Sequence, residues 1–397
     1  MKIENYFYVY LFQKCHSFHQ QRINRVNSVK HSKLSINCTF SLTGLVIDFE
    51  LRSKYCHNCK LKESTMDPAA IQLWKTQHVG SGDCCINHTE SSKAMESKAA
   101  EVLWGRSLAK YNIRYVEMLS DGDSSAHRAV NVLMPYGEKA VQKLDCVNHA
   151  HKRMGTALRK LSKDQHLGGR GKGRLTEKKC DSLQNFYRGA IMDNLQFGVE
   201  KMRNAIWAGL FHSMSTDEQP RHMQCPQGEE SWCFYQKALA REEEPDSHDN
   251  HPSHIYLTTE VTHKMIPVYR RMSEESLLRR MIHGGTRNAN ECLNSTIWVR
   301  DPKTSFMGKQ RVLGAVSRAV GSFNEGSTEL LSVMNRLNIS IANISLQLLT
   351  KKDEKRMIKA DAASTAQARE QRKDYAVRRR LLEREEGGQG AYEAGGH

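Results

Sequence analysis

Three groups of residues have the types and spacing to do chemistry. Cys56 and Cys59 are two residues apart, and His78 and Cys84 follow downstream, with Cys85 and His88 just beyond. Thiolates and imidazoles so spaced suit a tetrahedral Zn²⁺ ion. The expected ligands are Cys56, Cys59, His78 and Cys84, with Cys85 or His88 as substitutes. The competing reading is four unconnected residues. A second set, His212, His222, Cys225 and Cys233, falls in a polar stretch rich in Pro, His, Glu and Asp. A bound metal would order such a stretch where apolar residues are too few to do so.

The third group carries carboxylates. Ser120-Asp121-Gly122-Asp123 follows a strand-like run, which would put an acid at the C-terminal edge of a sheet, where α/β sheets build ligand sites. Cys146-Val147-Asn148-His149 stands at the next strand-to-helix junction. Asn288-Ala289-Asn290-Glu291 opens a helical stretch on which Asn288, Glu291, Asn294 and Ser295 share one face. Each motif taken alone also fits a plain turn, a packed pair or a solvated face.

The elements that must position these residues can be read from periodicity. Residues 42–51 alternate as a strand with a turn at Thr43-Gly44, and a cysteine-containing loop follows. Residues 91–110 form a helix with Met95, Ala99, Val102, Leu103 and Trp104 on one face. Next come a strand over 112–119, a helix over 124–135, a strand over 140–146 and a basic helix over 148–163. Residues 166–175 are a Gly/Arg/Lys-rich loop, 176–212 are helical and 213–255 are irregular. Helices resume at 259–282, 288–299, 308–321 and 325–350, before a charged segment over 351–385 and a Gly-rich end. Residues 1–40, rich in His, Gln, Ser and Asn, show no clear period and are expected to be poorly ordered.

Composition narrows the class. The chain has 397 residues, a net charge of +15 and a pI near 9.3. That length supports a sizeable core, and that charge favours a polyanionic partner, nucleic acid above all. Eleven cysteines, an odd number, read as reduced thiols and metal ligands rather than a disulfide framework. No apolar run is long enough to span a membrane, and the short apolar stretch Tyr6–Phe12 lacks the flanks of a signal peptide. Residues 139–179 hold twelve Lys/Arg against three Asp/Glu. Lys152, Arg153, Arg159 and Lys160 fall on one helix, and Arg170, Lys172 and Arg174 on the glycine-rich loop. These are the expected DNA-binding residues, acting through the phosphates; an ordinary solvated helix face is the alternative.

Taken together, the motifs resemble the Mutator-like transposases. The resemblance is carried by Cys56-His57-Asn58-Cys59, Met95-Glu96, Ser120-Asp121-Gly122-Asp123-Ser124, Lys143-Leu144-Asp145-Cys146-Val147-Asn148-His149, Ser231-Trp232-Cys233 and Asn288-Ala289-Asn290-Glu291. It implies an α/β fold: a ribonuclease-H-like mixed sheet flanked by helices, with a helical and irregular insertion over about 176–285 and a basic helical tail over 338–397, the transposase domain itself running over 41–337. It implies nuclear DNA cleavage and strand transfer by Asp, Asp and Glu holding Mg²⁺ or Mn²⁺. Asp121, or Asp123 in its place, would be the second acid and Glu291 the third, with His149 beside them. The implied partners are DNA and, for assembly, a second copy of the chain as a homo-oligomer; no membrane is implied.

The sequence departs from this pattern at the first acid, expected on the opening strand in an Asp-Gly-Thr-Trp stretch. Residues 1–47 contain no aspartate, and Glu4 is their sole acid. The opening strand is therefore expected to be missing or replaced. Asp48 belongs to a later strand and is not expected to face the metals. Impaired catalysis follows as the expectation. The alternatives are a non-catalytic zinc- and DNA-binding protein and a decayed fragment of a mobile element.

Overall fold

The structure is a computed structural model. It describes residues 8–10, 33–39, 45–91, 94–120, 124–249, 251, 255–286, 288–301, 308–365, 367–368, 371–372 and 375. The Thr43-Gly44 turn, Asp121 and Asp123 lie outside the described residues.

The chain is mixed α/β, mostly helical, with few short strands. β1 (Tyr8–Tyr10), β4 (Glu117–Ser120) and β5 (Gln142–Asp145) form a parallel sheet in the order β1-β4-β5. β2 (Lys33–Thr39) and β3 (Val46–Ser53) pair antiparallel, and β2 lies beside β1. Two strands thus fall within residues 1–40, where the sequence pattern suggests little order. Leu34, Ile36 and Cys38 alternate with polar residues, which is a strand period, but His- and Asn-rich flanks obscure it.

The cysteine-containing segment after β3 is not a loop either. It holds α1 (His57–Thr65) and α2 (Pro68–Gly80). The Asp67 carboxylate accepts from the backbone N–H groups of Ala69 and Ala70, both at 3.0 Å, and Pro68 occupies the first helical position, so α2 starts with its orphan donors satisfied.

α3 (Ala94–Tyr111) packs on the hairpin and on α4 (Ser125–Leu133). Its buried stripe of Met95, Ala99, Ala100, Leu103 and Trp104 joins Tyr115, Met118, Val130 and Val141 in one core beneath β4. Trp104 is fully buried, and its indole N–H donates to the Tyr115 carbonyl at 2.8 Å. Asp48 on β3 is engaged elsewhere: Arg106 of α3 donates to both its oxygens, at 2.7 and 2.8 Å. It is committed to holding helix against strand.

The second core is helical. α5 (Val147–Asp164) packs on α6 (Glu177–Met192), α6 on α7 (Val199–His212), and α9 (Thr259–Met272) closes over α5 and α7. A short α8 (Phe234–Ala240) interrupts the irregular stretch before α9, and α10 (Glu275–Arg279) follows it. At Gly155 of α5 a Cβ would sit 1.8 Å from Oε1 of Gln184 on α6, so a larger residue there requires the Gln184 and Arg159 side chains to move. Gly173, at φ +80, is similarly confined, since a Cβ would meet the Thr258 backbone nitrogen at 3.0 Å. α11 (Asn288–Arg300) and α12 (Lys309–Glu325) follow.

Residues 317–397 form a separate compact unit. The single helix expected over 325–350 is two, α13 (Glu329–Arg336) and α14 (Asn343–Ser364). Asn338 adopts a positive φ of 55° just past α13, a helix-ending conformation that asparagine tolerates. Within this unit the Asp353 carboxylate accepts from the backbone N–H groups of Ser327 and Thr328.

Trp104→Ala is expected to destabilise the chain by about 3–5 kcal/mol, because it removes a large buried side chain and its indole hydrogen bond. Urea unfolding followed by circular dichroism measures it; a change under about 1 kcal/mol would mean that this core collapses easily around the cavity.

Candidate functional site

The end of β4 and β5 is where distant parts of the chain meet. The backbone N–H of Cys146 donates to the Ser120 carbonyl at 3.2 Å, and that of Asp145 to the Arg280 carbonyl at 2.8 Å. The N–H of Val147, first residue of α5, reaches the Gly285 carbonyl at 3.4 Å. Asn148 then donates through Nδ2 to Oδ1 of Asn288 at 3.0 Å, tying the start of α5 to the start of α11. Glu291 stands in the first turn of α11 and is exposed. His149 is half-buried in the first turn of α5. Ser120, the chain neighbour of Asp121, and Glu291 are therefore linked through the two helix starts. Asn290 and Asn294 turn inward on α11 and are buried, so they do not share an outward face with Glu291.

Beside this junction is a cavity of about 560 Å³, between α5 and the α9–α10 region. Its lining includes His149, Lys152, Arg153, Lys160, Arg271 and Arg280, against one acid, Glu274. Arg280 is tied to buried Asp145 at 2.7 Å. Lys152, Arg153, Lys160 and Arg271 are exposed and make no ion pair among the described residues. Arg271 and Arg280 do not stand out in the sequence, because they lie more than a hundred positions from α5 and only packing brings them to it.

The other expected phosphate-binding residues are partly committed. Arg159 is ion-paired with Glu177 and Asp181, which fastens α5 to α6. Lys172 is paired with Asp249 at 2.8 Å, and Arg174 donates to the carbonyls of Gly168 and His166. Arg170 is exposed on the loop.

Both Cys/His sets come together. Cys56, Cys59, His78 and Cys84 place their ligand atoms within 4.8 Å of one another, and so do His212, His222, Cys225 and Cys233. A tetrahedral ion with bonds of about 2.0–2.3 Å requires ligand atoms about 3.3–3.8 Å apart. The observed separations fit: 3.3 Å for Cys56 Sγ to His78 Nε2, 3.7 Å for Cys59 Sγ to Cys84 Sγ, 3.3 Å for Cys233 Sγ to His222 Nδ1 and 3.7 Å for Cys225 Sγ to His212 Nδ1. The first set is three thiols and an imidazole, the second two of each, and either could hold a metal such as zinc.

Local structure explains the clustering. Cys56 caps α1 and Cys59 lies in its first turn, while α2 returns His78 to them, its ring stacked on Trp74 at 4.5 Å. Asn87 fixes the following loop to β3: its side chain accepts from the Ser53 N–H at 2.7 Å and donates to the Leu51 carbonyl at 2.9 Å. In the second set His212 ends α7 and Cys233 caps α8, and the loop between brings in His222 and Cys225. Burial pushes the Cys56 thiol up, but donors from the Cys85 backbone, His78 and Cys59 outweigh it and bring it down to about 6. Burial and hydrogen bonding with Cys84 push Cys59 up to about 12. In the second set the Cys225 thiol donates to Cys233, which holds Cys233 well below the ordinary thiol range and pushes Cys225 up.

The family model of the Mutator-like transposase matches residues 22–233, just over half of the chain. The match spans the first Cys/His set, the β4 and β5 edge, α5 and the ligands of the second set. No curated protein and no solved structure matches the chain.

Purified chain is expected to carry two equivalents of bound metal. Cys59→Ser and Cys233→Ser should each remove one and leave the other. Elemental analysis per chain checks this; a wild-type protein with none, retaining its melting temperature in strong chelator, would rule out both centres.

Proposed function

The chain belongs to the Mutator-like transposase family, and from that premise we propose that it is a transposase-derived protein that binds DNA, is ordered by two structural zinc ions, and is impaired in DNA strand cleavage. The observation that carries the DNA-binding reading is the set of exposed, unpaired cations Lys152, Arg153, Lys160 and Arg271 around one cavity beside His149. Cations without internal partners attract phosphates without breaking existing ion pairs, and the affinity they give is sequence-independent. Arg170 extends the same positive surface. A DNA-binding role agrees with a nuclear location and with the Arg378-Arg379-Arg380 run of the tail. A helical insertion joining the third acid to the sheet, and assembly with a second copy, belong to the same proposal. No helix among the described residues is long and apolar enough to cross a membrane.

A ribonuclease-H-like sheet is the fold this reading uses. The parallel order β1-β4-β5 with an antiparallel β2-β3 pair alongside supports it. In such a sheet Asp121, next after β4, and Glu291, at the start of α11, would supply oxygens to Mg²⁺ or Mn²⁺. The links from Ser120 through Cys146 and Asn148 to Asn288 support their approach. Hard divalent ions bound there would stabilise the attacking and leaving oxygens of a phosphodiester displacement. His149, at the same corner, would hydrogen-bond a phosphate or steady the acid.

Impairment follows from the strand paired with β4. The family's first acid belongs on the opening strand. Here that place is taken by Tyr8-Val9-Tyr10, with Tyr10 opposite Leu119, and residues 1–47 contain no aspartate. Asp48 cannot substitute, because Arg106 holds it. Two carboxylates leave too little negative charge to keep two divalent ions close together.

Two measurements test this reading. Duplex DNA affinity should fall steeply with salt, and replacing Lys152, Arg153, Lys160 and Arg271 by Gln should flatten the log–log slope by about 0.9 for each phosphate no longer neutralised. An unchanged slope would remove the cavity from the DNA-binding surface. Incubation with plasmid and Mn²⁺ should give no nicking; robust nicking that disappears in Glu291→Ala would overturn the impairment.

A further inference from the structure

The second Cys/His set continues outward through hydrogen bonds that its four ligand atoms do not require. His222 directs Nδ1 at the cluster, 3.3 Å from Cys233 Sγ and 3.2 Å from His212 Nδ1. Its other nitrogen, Nε2, lies 2.8 Å from Nε2 of His248. His248 in turn places Nδ1 2.5 Å from Oδ1 of Asp217. Asp217 is itself fixed, since Oδ1 accepts from the His248 backbone N–H at 2.8 Å and Oδ2 from the Ser247 hydroxyl at 2.6 Å. His222 and His248 are 3% and 4% exposed, so water does not mediate the contact between their rings.

Of the proton placements possible along this chain, one leaves His222 able to coordinate a metal. Two Nε2 atoms 2.8 Å apart need one proton between them. If it sits on His248, His222 carries its own proton on Nδ1, among the thiols, and His248 either presents a bare Nδ1 lone pair to the Asp217 carboxylate, which is repulsive, or is a doubly protonated imidazolium paired with it. If it sits on His222, every atom is satisfied: His222 donates from Nε2 to His248, His248 donates from Nδ1 to Asp217, and the Nδ1 lone pair of His222 faces the cluster. Only the second pattern offers a metal a lone pair.

We propose that Asp217 and His248 belong to this metal centre as its outer pair, holding His222 in the Nε2-protonated tautomer so that Nδ1 coordinates a zinc-like, tetrahedral cation. The proposal rests on the reading that the second Cys/His set binds such a cation. It adds two positioning residues and a direction of hydrogen bonding. The carboxylate–imidazole–imidazole chain passes negative charge toward the ligand and makes Nδ1 more basic. It also supplies an anchor: Asp217 lies early in the irregular stretch and His248 near its end, so the outer pair closes the same segment that the metal closes from inside.

The test uses the full chain, stripped of metal and titrated with Zn²⁺ against a chromophoric chelator. His248→Phe and Asp217→Ala should each weaken binding at the second centre by about 10–100-fold, while the first centre is unchanged. His248→Gln, which keeps an acceptor for the His222 N–H, should recover most of that affinity. Loaded with Co²⁺, all three variants should retain tetrahedral ligand-field bands, because the four ligands are intact. Cys233→Ser, which removes a ligand, should lose the ion and its sulfur charge-transfer band. If His248→Phe and Asp217→Ala bind within about threefold of wild type while Cys233→Ser loses the ion, the outer pair has no part in coordination and the proposal fails, with the metal reading standing. If Cys233→Ser keeps full metal content, the metal reading fails and takes the proposal with it.

Discussion

The organisation of this chain depends on a few backbone hydrogen bonds at the C-terminal end of two short parallel strands. β4 and β5 have four residues each, too few to specify much alone. Cys146 and Asp145 extend their edge by donating to Ser120 and Arg280, and Val147 donates to Gly285. With the Asn148–Asn288 side-chain hydrogen bond, they bring the starts of α5 and α11 together across an intervening helical core with its own apolar interior. A sheet edge with a large insertion needs some such seam, because the insertion could otherwise fold without fixing where the chain returns.

The seam separates what a one-dimensional pattern can reach from what it cannot. Cys56-x2-Cys59 and the His212 to Cys233 set are legible, because tetrahedral coordination imposes residue types and short spacings that local sequence displays. α3 and α5 are legible from their periodic apolar faces. α1 and α2 are not, although Asp67-Pro68 is a helix start, because two cysteines draw the segment toward a loop. β2 is masked by its polar flanks. Arg271 and Arg280 are beyond reach, since their place beside α5 is a product of tertiary packing. Asn294 reads as part of a face open to solvent or a pocket, and the fold turns it into the interior. The outer pair Asp217 and His248 lies in a His-rich stretch that gives no hint which imidazole meets which.

Charge is divided unequally on α5. Arg159 faces α6 and is neutralised there by Glu177 and Asp181, while Lys152, Arg153 and Lys160 face the cavity without acids of their own. One helix therefore contributes both cohesion and a positive surface. The two roles are kept apart because helix geometry sets successive positions on different sides. A similar division holds at β3, where Asp48 is consumed by Arg106 and adds nothing to the sheet edge.

Gly155 has a consequence for how this protein can drift. A methyl group at Gly155 would displace the ends of the Gln184 and Arg159 side chains, and Arg159, one turn along, is held by two acids, so a larger residue on the packed side of α5 disturbs its fastening to α6. Positions 152, 153, 156 and 160 have no such neighbours to offend. Mutations should therefore accumulate on one side of this helix and be purged from the other, so the surface offered to a partner can diversify while the scaffold beneath it stays the same.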